Sequence, residues 1–251
     1  MMTASITVQG KLGKILQSNK LAICLEIVVV FLPFILGMII SDRSGNDRIS
    51  LGGDLFILGG SITYLGLTIS LGLLWVASRL RGASWRYFGL YRQKSWFRTV
   101  LQSLGIALVV FLTVKFIINP IMTALPNAGY QDLSRFDYLE DDFLNLIIIL
   151  VNIWITAAFL EEFMFRGYLM NRLIDIQGKQ TKLAWGVAVV GQAIIFGLVH
   201  AYQSPAGMFK VGLIGLVFGF SYLVTGRNLW PVILAHGLID SLDMISHYFG
   251  V

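Results

Sequence analysis

Long apolar stretches recur along this chain, and they constrain its fold more than any other feature. They are Leu21–Ile40, Leu55–Ala77, Val100–Ile118, Leu144–Met170, Ala184–Ala201, Phe209–Val224 and Leu229–Tyr248. A hydrocarbon core about 30 Å thick needs about 20 apolar residues per helical span. Because lipid offers no hydrogen bonds, each segment must satisfy its own backbone groups. We therefore predict an all-α fold, a polytopic bundle of transmembrane helices with seven spans, or eight if one loop dips into the bilayer.

The composition excludes a conventional soluble domain. Hydrophobic residues make up 56% of the 251 residues and charged residues only 13%, against about 25% charged in an ordinary soluble domain. The stretch Leu21–Ile40 is longer than the 7–15 apolar residues of a signal peptide, so we predict a retained anchor. The single cysteine, Cys24, excludes an intrachain disulfide.

The distribution of positive charge predicts an orientation in the membrane. Fourteen Lys and Arg residues fall before the first span or between spans two and three, four and five, and six and seven, when Arg166 near the end of span four is counted with the loop that follows it, whereas four fall on the opposite side. By the positive-inside rule, the N-terminus is cytosolic and, with seven spans, the C-terminus is external. The net charge of +5 thus reflects orientation in a lipid bilayer, and we expect neither nucleic acid nor nucleotide as a partner.

Two adjacent acids, Glu161 and Glu162, interrupt the apolar run Ile147–Phe165. A charged side chain at that depth costs several kcal/mol unless it is paired or hydrated, so ionisable residues inside a span are functional candidates. Arg166 follows Glu162 by four residues, the spacing at which side chains share one helix face. We therefore predict a Glu162–Arg166 ion pair, with Glu161 facing another surface.

The three histidines are His200, His236 and His247. Two of them lie four residues from a second candidate, as Phe196 precedes His200 and Asp240 follows His236. Each pair shares a helix face. We interpret His247, at the end of the last span, as an interfacial residue.

The turn between spans four and five sets the depth of the acids. Glu161 and His200 are equidistant in sequence from the polar segment Gly178–Lys182. In an antiparallel hairpin such residues lie side by side, so we predict that Glu161 and His200 meet at one level. His236 would lie at the same depth as Glu161 only if this hairpin projects beyond the bilayer by about two turns.

Charged residues inside spans also have purely structural explanations. Glu26 and Lys115 lie in spans one and three, and we expect them to pair with each other or to face a cavity, without a catalytic role. Buried Glu–Arg and His–Asp pairs can likewise act as clamps between helices. The argument for chemistry therefore depends on several such pairs occurring together.

Three ordered motifs give the chain a family resemblance. Glu161–Arg166 reads EExxxR, Phe196–His200 reads FxxxH, and His236–Asp240 reads HxxxN/D. Together they resemble the motifs of the CPBP intramembrane proteases, the family of the type II CAAX prenyl endopeptidases and of many bacterial Abi proteins. The resemblance covers about residues 141–251. We therefore divide the chain into an accessory transmembrane region, 1–140, and a catalytic core, 141–251.

The resemblance implies a role for each matched residue. Glu161 would activate a water molecule with help from His200. His236 and Asp240 would stabilise the oxyanion of the tetrahedral intermediate, which a dry site makes more effective. The supporting residues would be Glu162, Arg166 and Phe196.

Position 240 departs from the family members with Asn, and it leaves the chemistry open. An ionised Asp only accepts hydrogen bonds, so Asp240 is protonated, or orients His236 as an imidazolium donor, or helps to bind a metal. The four-residue spacing favours the second alternative. Glu161, His200 and His236 would also make a His₂Glu zinc site with an open position for water, and a metal-free glutamate mechanism is the alternative.

The sequence thus predicts an intramembrane endopeptidase, of glutamate or metallo type, that hydrolyses a peptide or membrane-associated protein. The alternative is a non-catalytic membrane scaffold or bacteriocin-immunity-type protein of the same architecture. A proton-coupled transporter also accommodates intramembrane acids, but the chain shows no inverted repeats. We expect the cell membrane of a bacterium as its location.

Overall fold

The computed structural model describes residues 10–44, 61–124, 136 and 139–250, and regular structure within them is entirely helical. We number the helices α1 Gly10–Ser18, α2 Lys20–Ser44, α3 Ser61–Arg81, α4 Trp96–Ala124, α5 Phe143–Gln177, α6 Lys182–Val199, α7 Ser204–Val224 and α8 Leu229–Tyr248. The all-α prediction is confirmed.

Seven of these helices, α2 to α8, are long and apolar enough to cross a membrane. The predicted number of spans is therefore confirmed for the described part of the chain. Residues 55–60, the start of the second predicted span, lie outside it. The sequence did not predict the short helix α1. The residues before Leu21 are only mildly polar, and their pattern did not indicate a helix.

The ends of the helices follow local capping chemistry. Asp142 accepts a hydrogen bond from the Asn145 backbone N–H at 3.0 Å and so starts α5. Asn228 accepts from the Trp230 backbone N–H at 3.2 Å and starts α8. Such caps satisfy backbone donors that the first helical turn leaves without partners. The predicted turn between α5 and α6 is confirmed, since Gln177 ends one helix and Lys182 begins the next.

The described chain forms two compact units. The first comprises Met1–Tyr87 with Asn171–Ala184, and the second comprises Phe88–Met170 with Trp185–Val251. In the first unit α2 and α3 approach closely at Gly66, where a Cβ would collide with the Pro33 carbonyl oxygen. The second unit holds all three sequence motifs. The functional division at residue 140 stays a prediction, since it concerns where the chemistry lies.

Helix α5 departs from regular α geometry around the acids. Trp154–Glu161 and Phe163–Leu169 are π-helical, a conformation that is rare and is often found at functional sites. The whole helix has 35 residues and measures about 50 Å at ~1.5 Å per residue, which exceeds the hydrocarbon thickness by about 20 Å. It ends at Gln177 rather than at Met170, where the predicted span stopped.

Missing side chains allow close packing around the site. A Cβ at Gly197 in α6 would lie 2.8 Å from the Met208 carbonyl oxygen of α7. A Cβ at Gly237 in α8 would lie 2.7 Å from the Trp154 ring of α5. Small residues at helix crossings are typical of membrane proteins. Here they bring α5, α6, α7 and α8 together around the motif residues.

Candidate active site

Glu162 and Arg166 form the buried centre of the site. Arg166 Nη1 donates to Glu162 Oε1 at 2.8 Å, and both side chains are fully buried. The four-residue spacing predicted this ion pair, and it forms within the π-helical part of α5. A buried charge is tolerated only when it is paired, so each residue here requires the other.

His236 joins this pair from α8. Its Nδ1 donates to the same Glu162 Oε1 at 2.8 Å, and its Nε2 lies 3.3 Å from Asp240 Oδ2. Carboxylate oxygens accept hydrogen bonds, so both ring nitrogens face acceptors. The Asp240 side chain is one-third exposed, so water can reach it. Of the three alternatives for Asp240, this geometry favours an acceptor that orients His236.

Aromatic rings enclose the charged centre. The Arg166 guanidinium carbon lies 4.4 Å from the Phe196 ring centroid and 5.2 Å from that of Phe218. The Phe218 ring also stacks on His236, with centroids 5.0 Å apart and planes 27° apart. Cation–π contacts gain strength when they are desolvated. The rings therefore hold Arg166 and His236 in fixed orientations.

His200 lies at the end of α6, with only 8% of its surface exposed. Its Nδ1 donates to the Phe196 carbonyl at 2.7 Å, and its ring centroid lies 4.8 Å from that of Phe196. Because a carbonyl only accepts, Nδ1 carries the hydrogen and Nε2 keeps its lone pair. His200 is thus oriented as an acceptor at Nε2.

Glu161 differs from its neighbour Glu162. Its side chain is half-buried and forms no hydrogen bond or ion pair with any residue that the structure describes. It interacts electrostatically with His236, Asp240 and Arg166, and His200 interacts with the same three residues. No direct contact links Glu161 to His200, so their predicted meeting at one level stays a prediction. Glu161 and His200 therefore share His236 as an electrostatic partner.

Two of the expected zinc ligands already have partners on their ring nitrogens. His236 has both ring nitrogens on carboxylates, and His200 has one nitrogen on a backbone carbonyl. Within the described ranges, no three His, Cys, Asp or Glu residues are placed so that they could hold a metal ion. The zinc site of Glu161, His200 and His236 therefore stays a prediction, and we assign no step to it.

Sequence reasoning missed one side chain of the site, Gln192. It is fully buried, and its Nε2 donates to the Gly215 carbonyl at 2.8 Å, while Arg166 Nη2 donates to the same oxygen at 3.3 Å. A signal was present, because Gln192, Phe196 and His200 follow at four-residue intervals on one face of α6. Gln192 is also the only uncharged polar residue between Leu183 and Val199 in an otherwise apolar run.

The first unit contains a separate buried ionic cluster, which corrects the expectation for Glu26. Its carboxylate pairs with Arg81 Nη2 at 3.3 Å and with Arg172 Nη2 at 2.8 Å. Lys115, in the second unit, lies 5.4 Å from the Phe116 ring centroid. The two alternatives given for Glu26 and Lys115, a mutual pair or a cavity, omitted these arginines. The sequence had assigned both arginines to loops, but they are buried.

These features define a class of protein: an integral membrane protein with acids and histidines gathered among its candidate spans. Residues 143–242 match the family model described as type II CAAX prenyl endopeptidase Rce1-like. Over these residues, which are less than half of the chain, the protein is similar to that family, as its three motifs predicted. All three motifs lie within the matched residues. No match was found among curated proteins or among solved structures.

Proposed function

We propose that this protein is an intramembrane endopeptidase that uses Glu161 as its general base. The observation that carries the proposal is the difference in hydrogen bonding between the two adjacent acids. Glu162 Oε1 receives both Arg166 Nη1 and His236 Nδ1 at 2.8 Å, whereas Glu161 is half-buried without a hydrogen bond to the described residues. One acid is committed to structure, and the other is free to take a proton.

The first step is attack of water on the scissile carbonyl. Glu161 accepts one proton of the water, and the lone pair on His200 Nε2 accepts a hydrogen bond from its second O–H. A carboxylate in an apolar span is less well solvated than in water, which makes it a stronger base. Phe196 holds His200 through its ring and its backbone carbonyl.

The second step requires stabilisation of the oxyanion that forms on the carbonyl. In this proposal His236 acts as an imidazolium donor, and its Nδ1 bond to Glu162 sets the orientation of Nε2. The Nε2–H bond to Asp240 is long, 3.3 Å, so an oxyanion can replace it as acceptor. Donors placed in advance for developing charge contribute strongly in a dry site. Collapse of the intermediate then transfers the proton on Glu161 to the departing amine.

The family description supplies the substrate class, a peptide or protein held at the membrane. A carboxyl-terminal CAAX sequence with a prenylated cysteine is the substrate that the family's name indicates, and we include it as a probe. The protein would lie in a cell membrane with its N-terminus in the cytosol. The orientation was predicted from the Lys and Arg residues on each side of the membrane, and three of the cytosolic ones are buried: Arg81, Arg166 and Arg172. Without them, eleven Lys and Arg residues remain on the cytosolic side and four on the external side. Of those four, Arg43, Arg48 and Arg135 lie outside the side chains described.

The test compares membranes from cells that produce the wild-type protein or its Glu161→Gln variant at equal levels. Mass spectrometry of protein termini should find new termini with the wild type and none with the variant, because Gln keeps the size of Glu but cannot act as a base. Cleavage of a farnesylated CAAX peptide and its unprenylated counterpart then defines the substrate. Identical sets of termini would support the scaffold alternative. Zinc analysis of the purified wild type and of His236→Ala tests the metal prediction.

A further inference from the structure

Gln192 lies behind the motif residues, and no motif includes it. It occupies α6, four residues before Phe196 and eight before His200, and its side chain is fully buried. Burial of an amide is unfavourable unless its polar atoms are hydrogen-bonded. Its Nε2 makes one such bond, to the Gly215 carbonyl at 2.8 Å, while its Oε1 is buried without a partner among the described residues. A side chain kept at that cost indicates a specific role.

The surface of α7 is shaped to receive this amide. A Cβ at Gly219 would lie 2.7 Å from Gln192 Nε2, and one at Gly215 would lie 3.1 Å from the Phe196 ring. The two glycines, four residues apart, therefore form a notch on one face of α7. Gln192 and Phe196 occupy the notch from α6. The orientation of the amide follows from this contact, because a carbonyl accepts and the NH₂ group must face it.

The Gly215 carbonyl also accepts a hydrogen bond from Arg166. Arg166 Nη2 donates to it at 3.3 Å and Nη1 donates to Glu162 at 2.8 Å, so the planar guanidinium is fixed at two points. Gln192 holds the shorter of the two side-chain bonds to this oxygen. Arg166 in turn donates to Glu162, and the same Glu162 oxygen accepts from Nδ1 of His236.

We infer that Gln192 is a positioning residue, which acts on His236 through the Gly215 carbonyl, Arg166 and Glu162. Without the amide, Arg166 is the one side-chain donor to this carbonyl among the described residues, and the guanidinium shifts toward it. The Glu162 carboxylate follows Arg166, which alters its bond to His236. The consequence for catalysis rests on the proposed function, whereas the effect on the geometry of His236 does not.

The test replaces the amide with an apolar side chain of similar length, Gln192→Met. With only three histidines in the chain, selective ¹⁵N labelling gives a simple spectrum in detergent micelles. The His236 signals are identified by their loss in His236→Gln. In Gln192→Met we expect them to shift, while those of His247 stay unchanged. With a cleaved peptide, kcat should fall about fivefold, the effect of one neutral hydrogen bond, with KM within twofold.

Gln93→Met is the matched control. Gln93 belongs to the same unit, and its amide donates to the Tyr91 carbonyl and to Asn228 Oδ1, without a contact to Arg166. It should leave the His236 signals and kcat unchanged. A second variant, Gly219→Ala, displaces the Gln192 amide without removing it and should shift the same signals by less.

The outcomes separate the two proposals. Unchanged His236 signals in both Gln192→Met and Gly219→Ala would overturn the inference, whatever the activity. Equal shifts in Gln93→Met would also overturn it, because they would reflect general loosening. A wild-type protein that generates no new termini would overturn the proposed function, while the His236 signals would still test the role of Gln192.

Discussion

The molecule contains two buried clusters in which one glutamate receives two cationic side chains, and only one of them resembles an active site. In the first unit Glu26 pairs with two arginines, and in the second unit Glu162 pairs with Arg166 and His236. Both carboxylates are at least nine-tenths buried. By burial and pairing alone, the two clusters are alike.

They differ in what surrounds the pair. In the first unit Asp175 accepts from Arg172 Nη1 and from the Tyr87 hydroxyl, each at 2.7 Å, which adds further pairing. In the second unit the contacts lead to Asp240, which is one-third exposed, and Glu161 lies beside them without a hydrogen bond to the described residues. A buried ion pair is therefore weak evidence of function. An acid left free beside one is the informative feature.

The largest expected effect is that of Glu162→Gln, which removes the anion shared by Arg166 and His236. Loss of one partner of a buried pair leaves an uncompensated charge and costs about 3–5 kcal/mol. We therefore expect a lower free energy of unfolding in mixed micelles and cleavage at the background level.

Glu161→Gln, in contrast, should lose cleavage, while its free energy of unfolding stays within about 0.5 kcal/mol of the wild-type value. Equal stability of the two variants would show that Glu162 is not the structural acid.

The corresponding change in the first unit, Glu26→Gln, should affect stability alone. Its removal leaves Arg81 without a carboxylate among the described residues and Arg172 with Asp175 alone, so the free energy of unfolding should fall by about 3–5 kcal/mol. The cleavage rate per folded molecule should be that of the wild type. A rate that falls more than tenfold in the folded fraction would mean that this cluster also serves the reaction.

The smallest effect concerns Tyr87, whose hydroxyl donates to Asp175. Tyr87→Phe should cost about 1 kcal/mol near pH 8, the usual value of one hydrogen bond. Burial, followed by the charge of Asp175, raises the pKa of Tyr87 above its ordinary value of 10.0. The unfolded chain therefore ionises first, and the stability that Tyr87 contributes is lost as pH rises above about 10. A wild-type advantage that stays constant from pH 8 to 11 would contradict this.

Local patterns account for the parts of this structure that could be predicted. Hydropathy identified seven spans, because each is long enough by itself to cross the hydrocarbon layer. Four-residue spacing predicted the contacts of Glu162 with Arg166 and of His236 with Asp240, since both lie within one helix. The three motifs predicted the similarity to the family model that matches residues 143–242.

Contacts between helices could not be predicted in the same way. The bond from Glu162 to His236 joins residues 74 positions apart, and Arg172 reaches Glu26 across 146 positions. No periodicity links such residues. Arg172 was counted with the loop between spans four and five, but it is buried, and α5 continues past it. Gln192 was overlooked because it belongs to no motif, although its face of α6 could have indicated it.

The π-helical segments of α5 make the number of residues in this stretch matter more than their identity. Trp154–Glu161 is almost wholly apolar, and many exchanges of one apolar residue for another should be tolerated there. Deletion of a single residue is different, because it would rotate the preceding part of the helix by about 100° relative to Glu162 and Arg166. Natural variants of this chain should therefore differ freely in sequence across the segment and hardly ever in length.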